Sequence, residues 1–70
     1  MRFGINFMIR EYDGIKATRD LSDRVLKGCV GAVVMIYQEP TLGYEVEFFD
    51  KEGDTLEVLT VYPDDIESLR

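Results

Sequence analysis

From Gly43 the polar and apolar positions alternate: Tyr44, Val46 and Phe48 are separated by Glu45 and Glu47. A period of two marks a strand with one buried face and one wet face. "DKEGD" follows, with Asp50 to open a turn and Gly53 able to take the left-handed conformation that closes it. The chain returns as "TLEVLTVY", where Leu56, Val58 and Thr60 alternate with Glu57 and Leu59. The two segments are predicted to pair as a hairpin. Upstream, "YDGIKATRDL" predicts a shorter strand with Ile15 and Ala17 inward, and "SDRVL" a loop pinned by Val25 and Leu26. Downstream, Pro63 stops the long strand. "DDIESL" predicts one short helical turn, with Asp64 as its cap, and then a brief closing strand whose Ile66 and Leu69 plug the end of the fold.

The segment "LKGCVGAVVMIYQ" carries no charge from Cys29 to Tyr37. It is about half the length of a membrane-spanning helix. Val33, Val34 and Ile36 are β-branched and suit a pleated sheet better than a helix. Apolar residues on both faces predict a bent strand, covered on both sides, in a small barrel. Gly28 would make the tight turn into it, and Gly31 would admit the close approach of a neighbouring backbone. Phe3, Ile5, Phe7 and Ile9 also alternate. They predict a further strand, docked on its own barrel or on a second copy of the chain.

The order of these pieces is a short strand, a loop, "LKGCVGAVV", a "GYEVEF" hairpin with a "DKEGD" turn, and a closing "DDIESL". It resembles the SH3-like small barrel, an architecture shared with KOW modules. More narrowly, residues 8–70 resemble the bacterial domain-of-unknown-function family 4926. Asp13, Ile15, Asp20, Leu21, Leu26, Gly28, Gly31 and Val33 match its opening strand and glycine motif. Tyr44 to Phe48 match its central strand, Gly53 its turn, Leu59 and Thr60 its return strand, and Ile66 and Leu69 its end. Cys29 departs from the acid or polar residue usual in the family, and Val25 from a small residue. The resemblance implies a mainly β, antiparallel SH3-like barrel over residues 8–70, with residues 1–7 as an extension, or Met8 as the translation start. It also implies cargo of mobile bacterial elements, where small acidic proteins serve as antitoxin or immunity partners.

Seventy residues make one domain, and a chain this short buries only about 60% of its unfolded surface. One cysteine cannot close an internal disulfide, and with no histidine the usual zinc sets are missing, so no cofactor or metal is expected. "MRFGINF" has no long apolar region and no cleavage site, so no export signal is read there; with a free thiol this fits the cytoplasm. Fourteen acidic residues against eight basic give a net charge of −6. That balance works against nucleic acid, whose binders neutralise phosphates with Lys and Arg. It favours either solubility alone or a basic protein partner.

Little in the chain suggests catalysis. Cys29 has no histidine to make it a thiolate and reads as a small residue in a turn. Asp50, Glu52 and Asp54 echo the start of a calcium loop, but Thr55 stands where its glycine belongs and Val61 where its glutamate belongs. Tyr12, Tyr37, Tyr44 and Tyr62 lack the flanking cations of a base-stacking surface. What stands out is acid density on the hairpin. Pairing is expected to bring Glu57 beside Glu45 or Glu47 on the outward face, a like-charge contact costing a few tenths of a kcal/mol. Lys16, Arg24 or a partner's cations would relieve it. The expected function is therefore a non-catalytic protein-binding module. Glu45, Glu47, Asp50, Glu52, Asp54 and Glu57 would meet a basic partner, and Phe49 or Leu59 would serve as an apolar anchor. The alternatives are a homo-oligomer built through Met1–Ile9 and, less favoured, a KOW-like nucleic-acid module.

Overall fold

The computed structural model describes residues 9–70. Five strands, β1 (Gly14–Ala17), β2 (Val30–Tyr37), β3 (Gly43–Phe49), β4 (Thr55–Val61) and β5 (Ile66–Ser68), form one sheet in the order β4-β3-β2-β1-β5. Every pairing is antiparallel. A 3-10 turn, Pro63–Asp65, joins β4 to β5. Among the described residues this sheet has no covering layer, so it can make a core only by wrapping on itself. It does so: Ile15 and Ala17 of β1, Val33 of β2, Tyr44, Val46 and Phe48 of β3, Val61 of β4 and Ile66 of β5 share one buried cluster. This is the small SH3-like barrel expected from the order of elements. Ile9 belongs to the same cluster.

β2 makes the wrap possible. Its first residues pair with β1 while most of its length pairs with β3. The pairing shifts by one between Val33 and Met35, leaving Val34 as a bulge. Before the bulge Gly31 and Val33 are buried; beyond it Ile36 is the residue packed against the core. A bulge reverses which alternate residues face inward and sharpens the strand's twist. That is why the strand looked apolar on both faces. Gly31 lies between Ile15 of β1 and Phe48 of β3. A Cβ there would sit 2.7 Å from the Glu47 carbonyl oxygen, so the backbones close only around glycine. Gly28, at φ +90°, supplies the turn into the strand.

The β1–β2 loop folds back as a cover. Gly28 N–H donates to the Ala17 carbonyl at 2.8 Å and Ala17 N–H to the Cys29 carbonyl at 2.9 Å, closing its base. Val25 is fully buried and pins the loop as expected, whereas Leu26 is exposed. The loop sets Val25 in the core, packs Leu21 against it, and turns Leu26 outward. The same holds at the end of the chain: Ile66 plugs the core, but Leu69 is exposed and lies across Gly14 instead. The cap of the 3-10 turn is Asp65, not Asp64. Its Oδ2 accepts from Tyr62 N–H at 2.9 Å, and its Oδ1 accepts from Arg19 Nε and Nη2 at 3.1 and 2.7 Å. Thr18 ties the same turn to β1 by donating to the Asp64 carbonyl at 2.7 Å.

Candidate partner-binding face

The outer face of β2, β3 and β4 is built row by row from the register. Met35, Glu45 and Thr60 form one row; Ala32, Glu47 and Val58 form the next. The Thr60 hydroxyl donates to Glu45 Oε1 at 2.7 Å, and the Thr55 hydroxyl donates to Glu47 Oε2. Each carboxylate is therefore held upright by a threonine of the edge strand. Neither enters an ion pair among the described residues. Around them Met35, Tyr37, Val58 and Tyr62 stand 47, 40, 48 and 51% exposed. At one end Tyr37, Pro40 and Tyr62 line a cavity of about 210 Å³ above Gly43. The rim of Tyr62 would lie 3.2 Å from a Cβ at Gly43, so glycine lets the ring settle on the sheet. The result is an apolar surface with two fixed anionic points.

Glu57 is not part of it, contrary to expectation. The turn closes with Asp50 N–H on the Asp54 carbonyl at 2.8 Å and Phe49 opposite Thr55. Continued unchanged, that register would set Glu47 opposite Glu57. Instead the pairing shifts by one after Phe49, with Leu56 as the extra residue, and Glu57 comes opposite Phe48. The bulge turns Glu57 over to the core side and removes the like-charge contact. Both consequences are met by the β1–β2 loop. The Ser22 hydroxyl donates to Glu57 Oε1 at 2.6 Å, and Arg24 Nη1 donates to the Leu56 carbonyl at 3.3 Å. Leu59 turns over likewise: it lies opposite Val46, packs against the core, and is no anchor on the outer face.

The remaining predicted site residues divide. Phe49 is half-buried at the far end of β3. Asp50 Oδ1 accepts from the Glu52 and Asp54 amides, each at 2.9 Å, so this carboxylate shapes the turn. Glu52 and Asp54 are exposed at its tip. No group of three or more His, Cys, Asp or Glu among the described residues could hold a metal ion. Lys16 pairs with Glu67 at 3.8 Å, on β1 and β5, and so relieves nothing on the hairpin. Ile9, the described member of the stretch Met1–Ile9, packs in this chain's own core; residues 1–8 lie outside the described residues.

Cys29 bridges the point where β2 and β3 diverge. Its thiol donates to the Phe49 carbonyl at 3.5 Å. Burial pushes the thiol above its ordinary range, which keeps it protonated and a poor nucleophile. Burial also pushes the Tyr44 phenol up. No helix among the described residues is long and apolar enough to cross a membrane.

A family model described as "Domain of unknown function (DUF4926)" matches residues 11–68. No curated protein and no solved structure matches the chain.

Proposed function

The chain belongs to the DUF4926 family, and from that premise we propose that it is a non-catalytic protein-binding module that receives a basic partner on the outer face of β2–β3–β4. The carrying observation is the pair of carboxylates at Glu45 and Glu47, each fixed by a threonine hydroxyl within a fringe of exposed Met35, Tyr37, Val58 and Tyr62. Preorganised carboxylates lose little side-chain entropy when an Arg or Lys docks, and the apolar fringe supplies the area to be desolvated. A basic toxin held by an acidic antitoxin or immunity protein is one form such a pair would take.

The test compares proteins captured by the full chain and by its Glu47→Lys variant, followed by direct titration of each captured protein. Partners rich in Lys and Arg that bind the wild type and lose about tenfold or more in affinity for the variant support the reading. Capture of no basic partner, or affinity unchanged by Glu47→Lys, refutes it. A second reading, self-association through the β4 edge beside that face, is favoured by β4: among the described residues it is an edge strand with one charged residue and an exposed Val58. Edges of that kind pair unless covered. Light scattering separates the two, since a chain that stays monomeric at all concentrations rules self-association out.

A further inference from the structure

A second surface carries the opposite charge. An open groove of about 410 Å³ lies where β2 and β3 diverge, between the β1–β2 loop and the β3–β4 turn. Its apolar lining comes from Leu26, Val30, Phe49 and Leu56, with Leu26 and Val30 exposed. Its cations are Arg24, Lys27 and Lys51. Of the other described cations, Lys16 pairs with Glu67, Arg19 with Asp65 and Arg70 with Asp13, while Arg10 forms no ion pair among the described residues. The three at the groove are in no ion pair among the described residues. In a protein of net charge −6, three cations without a carboxylate partner around one apolar recess, Arg24 held there by the Leu56 carbonyl, are a local reversal of sign. Asp50 is the one carboxylate in the lining, and its Oδ1 is taken up by the Glu52 and Asp54 amides.

We infer that this groove is a binding site for a short acidic peptide segment, one whose aromatic or aliphatic side chain enters between Val30 and Phe49 while flanking carboxylates meet Lys27, Lys51 and Arg24. Charge complementarity selects that occupant. The chain's net negative charge repels a long polyanion, whereas the few carboxylates of a short segment are held locally. Residues 1–8, "MRFGINFM", carry a cation and no carboxylate, so they lack the matching charge. The inference goes beyond the proposed function: it concerns a different surface and a ligand of opposite sign.

The experiment is an amide chemical-shift titration of the full ¹⁵N-labelled chain with two synthetic peptides. One is acetyl-Asp-Glu-Phe-Leu-Asp-Glu-amide; the other has Lys and Arg in place of the acids. The acidic peptide is expected to shift the amides of Leu26–Val30 and Phe49–Lys51, to weaken several-fold between 50 and 500 mM salt, and to lose about tenfold in affinity for Lys27→Glu/Lys51→Glu. Both lysines are exposed, so that variant keeps its fold, and its spectrum shows whether it has. The inference is overturned if the acidic peptide leaves these amides unmoved, if the charge-reversed variant binds it equally, or if the basic peptide or inorganic phosphate produces the same shifts. Shifts at Met35, Glu45 and Glu47 bear on the outer face, so the two readings fail separately.

Discussion

Replacing Gly31 by alanine should destabilise the barrel more than any other glycine-to-alanine change in it. The new Cβ would lie 2.7 Å from the Glu47 carbonyl oxygen, 2.9 Å from Val46 Cγ1 and 3.0 Å from Phe48 Cδ1. Contacts between such atoms are comfortable at about 3.5–4.0 Å. The nearest atom is backbone in β3, a strand paired on both sides, and the other two belong to fully buried side chains, so none yields cheaply. Overpacking of this sort costs about 1–3 kcal/mol, and the upper half of that range applies here. Alanine recovers about 0.4–1 kcal/mol by stiffening the unfolded chain, which leaves a net loss of about 2 kcal/mol. For a domain of this size that lowers the melting temperature by about 8–16 °C, against a total stability of only about 3–5 kcal/mol. Thermal denaturation followed by circular dichroism measures it. Gly14→Ala is the control, because its Cβ would meet only the movable end of Leu69 at 3.2 Å, and it should melt within a few degrees of wild type. If Gly31→Ala melts with or above the wild type, β2 and β3 do not approach as closely as the wrapped sheet requires.

Other changes test other joints. Asp65→Ala removes both the cap on Tyr62 N–H and the acceptor of Arg19, and should cost about 2 kcal/mol. Arg19→Ala should cost under about 1 kcal/mol, since its guanidinium is largely exposed; equal losses on chemical denaturation would disprove the capping role. Ser22→Ala should cost about 1–2 kcal/mol by leaving Glu57 and the Val25 amide without their partner, and a neutral result would mean the loop does not read the bulge. Alkylation of Cys29 by iodoacetamide should rise with pH at a midpoint above that of a free cysteine peptide. The raised thiol and the raised Tyr44 phenol both stabilise the fold below their unfolded pKa values. That stability is lost as pH climbs from the unfolded to the folded values, because the unfolded chain releases the protons first. Stability that increases through that alkaline window would contradict the burial of both groups.

Much of the fold was legible because period-two alternation survives in β1 and β3, and because Gly28, Gly31 and Gly53 sit where a turn or a close approach demands them. What escaped is traceable to two bulges. Nothing in "VGAVVMIY" or "TLEVLTVY" marks Val34 or Leu56 as the extra residue, since each is one apolar residue among other apolar residues that do pair. The Leu56 shift alone moved Glu57 and Leu59 off the expected face. Hydrophobicity does not separate Leu26 and Leu69, which stay exposed, from Val25 and Ile66, which are buried. The cationic groove was beyond reach of sequence reading: Arg24, Lys27 and Lys51 come from two loops and share no spacing. One sign could have pointed to Glu45 and Glu47 as a pair, namely the threonines that follow across the hairpin.

The claim on which the functional account depends is that the outer face, with its two threonine-held carboxylates, is a docking surface for cationic partners. Its most direct measurement is an amide-shift titration of the full chain with a basic amphipathic peptide, repeated on a Glu45→Gln/Glu47→Gln variant. The account predicts shifts concentrated at Met35, Tyr37, Glu45, Glu47 and Val58, and a loss of about tenfold in affinity for the variant. Shifts spread over the whole surface, or affinity indifferent to both substitutions, would contradict it.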